Sequence, residues 1–116
     1  MSMARAATTS DVFNAVAEPK RRDIIRLLTS HERTVGDLSL ALSTAQSAVS
    51  KHLHVLSEVG VVTARAVGRH RLYRLNARKL KPVHDWVKAY ERFWNEQFDK
   101  LDAYLSSRKR TTPPDV

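Results

Sequence analysis

Residues 43–56, STAQSAVSKHLHVL, carry one apolar and one polar face at helical spacing. Ala45, Val49, Leu53 and Leu56 recur at steps of three or four and are expected to pack inward. Gln46, Ser47, Ser50, Lys51 and His54 fall on the other side. They are short or flexible, and all of them carry hydrogen-bonding groups, which suits a helix that enters a major groove. Ser43 followed by Gln46 has the spacing of a capping box, so the helix is expected to start there.

The flanking sequence raises the significance of this helix. A preceding helix is predicted over Thr34–Leu42, opened by Thr34 and Asp37 and turned inward through Val35, Leu38 and Leu42. Two short helices joined by two or three residues read as a helix-turn-helix. Downstream, residues 61–67 and 70–75 alternate with period two around Gly68-Arg69, as expected of a hairpin. The combination predicts a winged helix-turn-helix: mainly α, with a two-stranded β-hairpin as the wing.

Charge follows the same segment. The chain has 20 Lys and Arg against 12 Asp and Glu, a net +8. Between Thr44 and Lys81, eight basic residues face one acidic residue, Glu58, for a local +7. Solvated faces usually mix signs, so this segregation points to a polyanion. Lys51 suits guanine or phosphate. Arg69 at the turn suits a minor groove, with Arg65 and Arg71 meeting phosphates. Arg74 is read as a solvated strand residue, His70 as a turn residue and His52 as a partly buried structural one. With about eight phosphates neutralised per dimer, log affinity is expected to fall against log salt with a slope near −7.

Two outer segments complete the expected domain, residues 10–105. A first helix spans Ser10 to Ala17 with Val12, Phe13 and Val16 as its apolar positions. A second begins at Pro19, which suits a first helical turn, and turns Ile24, Ile25, Leu27 and Leu28 inward. Lys20, Arg21 and Arg22 are expected to be solvated. A single long helix is predicted over residues 82–105, with Val83, Val87, Tyr90, Trp94, Phe98, Leu101 and Leu105 in stripe and Trp86, Phe93 and Tyr104 beside them. That stripe is wider than a small domain covers by itself, so it is read as a dimer contact. Residues 1–9 and 106–116 read as flexible tails.

Other functions find little support. No apolar run approaches a membrane span, residues 1–9 have no apolar signal-peptide centre, and the chain has no cysteine, so a cytoplasmic protein without thiolate metal sites is expected. Ser50 lies near His52 and His54 without an acidic residue to orient them, so no catalytic triad is expected. The alternative to a DNA reader is a basic winged helix that docks on another protein. The polar face at Gln46, Ser47 and Ser50 lacks the aromatic anchors typical of such docking.

In order and content the chain resembles the ArsR-like bacterial transcription regulators from about Asp11 to Leu105. The resemblance is carried by residues 17–22 (AEPKRR), 48–53 (AVSKHL), Leu56 through Gly60 to Val62, and Gly68-Arg69 through Leu75. It implies a five-helix domain with a wing, a homodimer joined through first and last helices (Val12 and Phe13 with Val83, Val87, Tyr90, Trp94, Phe98 and Leu101), and a pseudo-palindromic double-stranded DNA operator, commonly for repression. It also implies where metals are sensed in relatives. Thr34 and Gly36 stand at the Cys-x-Cys positions and cannot serve as soft ligands. The last helix offers only His84, Asp85, Glu91 and Glu96, so a metal-independent member with no cofactor is expected.

Overall fold

The computed structural model describes residues 11–111, with side chains described through Arg108. The expected tail over residues 1–9 and the start of the first helix at Ser10 lie outside the described residues. The elements are α1 (Val12–Ala17), α2 (Pro19–Leu28), α3 (Val35–Leu42), α4 (Gln46–Glu58), β1 (Val62–Val67), β2 (His70–Leu75), a 3-10 turn (Ala77–Leu80), α5 (Lys81–Lys88) and α6 (Glu91–Thr111). They form two compact units, one through Val83 and one from His84 onward.

The first unit is organised around nine buried apolar residues: Ala15, Ile24, Leu28, Leu38, Val49, Leu53, Leu56, Val61 and Val62. Helices α2 to α4 bury residues of their predicted stripes, whereas α1 buries Ala15 rather than the expected Val12, Phe13 and Val16, of which Phe13 stays exposed. No buried side-chain nitrogen or oxygen among the described residues lacks a partner. Burying a Leu or Ile side chain contributes roughly 1.5–3 kcal/mol, which is set against the entropy lost in ordering the chain.

Helix ends follow local chemistry, with one departure from expectation. Thr34 and Asp37 form the expected capping box around α3: Asp37 N–H donates to Thr34 Oγ1 at 3.0 Å, and Thr34 N–H to Asp37 Oδ2 at 3.1 Å. Hydrogen bonding to the Asp37 carboxyl from the Thr34 backbone N–H, and then from the Thr34 side chain, holds it below the usual carboxylate range. The predicted box at Ser43 does not form. Ser43 instead ends α3 in the left-handed region, φ 49°, and α4 starts three residues later at Gln46 with Ala45 before it. The turn is closed by Thr44 N–H donating to Ser39 carbonyl oxygen at 3.1 Å and Ser39 Oγ donating to Thr44 carbonyl oxygen at 2.5 Å. Ser43 N–H itself donates to Leu40 carbonyl oxygen at 3.3 Å and so finishes α3, while Ala45 is exposed, contrary to its predicted inward place.

The end of α4 is a Schellman arrangement. Gly60 N–H donates to Ser57 carbonyl oxygen and Val61 N–H to Leu56 carbonyl oxygen, both at 3.0 Å. Gly60 takes φ +79°, a conformation that L side chains rarely adopt. The chain then enters the hairpin. Strands β1 and β2 pair antiparallel from Val62 opposite Leu75 to Val67 opposite His70, with Gly68 at φ +62° in the two-residue turn. A bridge between Arg33 and Tyr73 adds a short third edge.

The second unit corrects the predicted single helix. Helix α5 ends at Lys88, and Ala89 and Tyr90 make a tight turn before α6 begins at Glu91. There Tyr90 N–H donates three residues back, to Val87 carbonyl oxygen at 2.9 Å. The described residues therefore hold six α-helices rather than five. Helix α6 continues to Thr111, past the predicted end at Leu105 and into the segment read as a tail. No helix among the described residues is long and apolar enough to cross a membrane.

Candidate nucleic-acid interface

Helix α4 separates its two faces as its periodicity requires. Val49, Leu53 and Leu56 are buried, while Gln46, Ser47, Ser50, Lys51 and His54 are all exposed. Anchoring three aliphatic side chains in the core fixes the rotation of the helix, and that rotation presents the polar set together. No side chain caps the first turn of α4. Gln46 lies beside the start of α3, where a Cβ on Gly36 would come 3.8 Å from its Nε2. Contrary to the expectation that no acidic residue would orient it, His54 is engaged by Glu58 one turn on, with Nε2 to Oε1 at 3.1 Å on an exposed surface.

His52 is half-buried and stands apart from this set. Arg21 Nη1 comes within 3.5 Å of its Nδ1. Burial first, then the Arg21 guanidinium, holds the imidazole below its ordinary value, with Lys20 adding to the effect and Glu18 opposing it. The structural role expected for His52 agrees with this position.

Arginines fall into two groups that sequence alone did not separate. Arg21 donates from Nε to Ala15 carbonyl oxygen at 2.6 Å and from Nη2 to Asn14 carbonyl oxygen at 3.1 Å. Arg22 Nη1 reaches the Val16 and Ala17 carbonyl oxygens at 2.9 and 3.0 Å. Together they cover the last carbonyls of the short helix α1, so both are structural rather than merely solvated. Arg33 does the same for α2, with Nε donating to Leu27 carbonyl oxygen at 3.0 Å.

Arg65, expected to meet phosphate, is also engaged within the protein. Its Nε and Nη2 donate to Glu32 Oε2 and Oε1 at 2.9 and 2.8 Å, a two-pronged ion pair. The Arg65 hydrogen bond holds the Glu32 carboxyl below the usual range, and the same bond raises the Arg65 guanidinium. Arg74 Nε donates to Thr63 Oγ1 at 3.2 Å on the same face of the hairpin. By contrast Arg69 and Arg71 are exposed and, among the described residues, their side chains have no hydrogen-bond or ion-pair partner. Lys51 is in the same condition.

The predicted contact residues of the last helices lie exposed or half-buried within the second unit. Val87 is half-buried, while Tyr90, Trp94, Phe98 and Leu101 are exposed, Phe98 to 60%. Phe93, Tyr104 and Leu105 extend the same exposed apolar surface, and Trp86 packs edge-on against Tyr90. In the first unit, Val12 packs against the core, Phe13 stays exposed at 38% and Val83 is half-buried. His84 Nδ1 lies 3.3 Å from Asp85 Oδ1, so these neighbours do approach each other, despite the angular separation expected on a helix. Among the described residues, no group of three or more His, Cys, Asp and Glu side chains is gathered as a metal site.

Comparison with known proteins agrees with this geometry. Residues 18–64, which cover α2 through the start of β1, match the model of the bacterial regulatory protein, arsR family. The chain is 30% identical over 78 residues to the transcriptional repressor SdpR of Bacillus subtilis, covering 67% of this chain and 87% of that protein. It is 42% identical over 65 residues to the HTH-type transcriptional repressor SmtB of Mycobacterium tuberculosis, covering 56% of this chain but only 48% of that longer protein. A solved structure, described as a possible transcriptional regulator for arsenical resistance, is 41% identical with a TM-score of 0.61, over 78% of this chain and 91% of that one. With its winged fold, exposed α4 face and these relatives, the chain belongs to the arsR family of bacterial regulatory proteins and is a sequence-specific DNA-binding transcriptional regulator.

Proposed function

We propose that the protein acts as a homodimeric repressor on a pseudo-palindromic double-stranded DNA operator, in the cytoplasm and without a cofactor. One observation carries this reading: α4 buries Val49, Leu53 and Leu56 and thereby exposes Gln46, Ser47, Ser50, Lys51 and His54 on one face. Gln46 and Ser47 occupy the first turn, the part of such a helix that meets base edges, and glutamine can bond adenine in bidentate fashion. Ser50, Lys51 and His54 follow one turn later and extend the contact to bases and phosphates.

Arg69 and Arg71 anchor the wing to the DNA backbone, their charges having no internal partner to displace. Dimerisation uses the exposed apolar surface of Tyr90, Trp94, Phe98 and Leu101, and the contact with the second copy also draws on Phe13 and Val83. Two copies of α4 then enter successive major grooves about 34 Å apart.

The test is fluorescence anisotropy with DNA from upstream of the protein's own gene and a scrambled duplex, across a salt series. A preference of about 100-fold for the upstream DNA, roughly 2.7 kcal/mol, is the expected result. Equal and steeply salt-dependent binding to both would point either to a regulator of a distant operator or to a basic module whose partner is not DNA.

A further inference from the structure

The hairpin is held to the body of its unit mainly at its base. Tyr73 N–H donates to Arg33 carbonyl oxygen at 2.8 Å, Arg33 N–H returns to Tyr73 carbonyl oxygen at 3.1 Å, and Asn76 N–H donates to Val61 carbonyl oxygen at 2.7 Å. Moving outward, the next register position is Arg65 opposite Leu72, and there Arg65 meets Glu32. Beyond it, among the described residues, no hydrogen bond or ion pair ties 66–71 to the rest of the unit. An isolated two-stranded ribbon is marginally stable in water, so its angle is set by whatever holds its outermost attached position.

Strand alternation then assigns the faces. Val62, Ala64, Tyr73 and Leu75 share one face, whose base enters the core that also holds α4, and Arg71 continues that face toward the tip. Thr63, Arg65, Leu72 and Arg74 share the opposite face. Arg65 therefore points away from the face that carries Arg71. Both prongs of its guanidinium are already on a carboxylate, a geometry more specific and stronger than a single hydrogen bond.

We propose that Glu32 and Arg65 are positioning residues for DNA binding: their ion pair sets the angle at which the hairpin delivers Arg69, and Arg65 does not touch DNA. This rests on the reading of the wing as a DNA anchor. Glu32 belongs to the loop between α2 and α3, so the pair couples the helix-turn-helix directly to the wing.

The experiment measures operator affinity and its salt slope for the full chain and for E32Q, R65Q and the charge-swapped double variant E32R/R65E, each with and without R69A. Thermal unfolding is followed in parallel. Positioning predicts that E32Q and R65Q both weaken binding, by about fivefold for a well-formed surface pair, with the salt slope unchanged. The charge swap restores affinity to within about twofold, because the pair is rebuilt in reverse. R69A costs less in the E32Q background than in the wild type, which a general loss of stability does not produce.

Different outcomes overturn the proposal. If Arg65 meets phosphate, E32Q tightens binding, R65Q lowers the salt slope by about 0.9 for each phosphate no longer neutralised, and the swap is worse than either single variant. No change in any variant, or no recovery in the swap, overturns it as well. Failure of the wild-type protein to bind any operator would remove the DNA reading itself, and is distinguished by being independent of Glu32 and Arg65.

Discussion

The two units use large apolar side chains in opposite ways. In the unit through Val83, Ile24, Leu38, Val49, Leu53, Leu56, Val61 and Val62 are sealed from solvent. In the unit from His84, Trp86, Tyr90, Phe93, Trp94, Phe98, Leu101, Tyr104 and Leu105 all remain exposed. Both segments have helical periodicity, so periodicity does not distinguish a core from an interface. What distinguishes them is whether neighbouring elements close over the stripe. The first unit folds around its apolar residues, and the second presents them.

The comparison is sharpest under truncation. Leu53→Ala should cost about 3 kcal/mol of folding stability, through reduced burial and an unfilled cavity in a close-packed site. Chemical denaturation checks this, and a cost below about 1 kcal/mol would mean the core relaxes more freely than its burial implies. Phe98→Glu should leave the first unit's fold intact while weakening dimerisation by about 2 kcal/mol or more, the scale of an interface hot spot. Analytical ultracentrifugation reads this directly, and an unchanged association constant would break the contrast between the units.

Within the first unit, exposed and buried faces of α4 should separate function from stability. Gln46→Ala should leave thermal unfolding nearly unchanged while reducing discrimination between operator and scrambled DNA by about 1–2 kcal/mol, as for removal of one bidentate base contact. Thr34→Ala should do the reverse, lowering stability by about 1 kcal/mol through loss of the cap while preserving base preference. Titration of both variants against the two duplexes distinguishes the roles.

The smallest effect concerns His52. Its folded-state value lies below the ordinary 6.5 because burial and then Arg21 disfavour the charged ring. The unfolded chain thus takes up a proton that the folded chain resists. The contribution is fully present above about pH 6.5 and declines as pH falls below it toward the lowered folded value. His52→Gln should flatten the pH dependence of unfolding between about 7.5 and 5.5, relative to wild type. Parallel curves for the two proteins would remove His52 from the acid response.

Much of the site was legible because it depends on spacing within one element. Gln46, Ser47, Ser50, Lys51 and His54 share a face by helical geometry, whatever the rest of the chain does. The helix starts were less legible. Ser43 had the composition of a cap, but its N–H donates to Leu40 carbonyl oxygen and its left-handed backbone ends α3. The break after Lys88 carries neither glycine nor proline, so no local residue announces it.

By itself the sequence determined the order of elements as far as the hairpin, the inward and outward faces of α4, the two-residue turn at Gly68 and the concentration of positive charge from Thr44 to Lys81. Those properties follow from backbone periods, from glycine's access to positive φ and from the count of charges. Tertiary structure alone decided which arginines are spent on the fold. Arg21 and Arg22 reach five to seven residues back to α1, and Arg65 reaches Glu32 across 33 positions. A guanidinium in a sequence has five donors and no stated partner, and only the folded chain brings a carbonyl or carboxylate within reach.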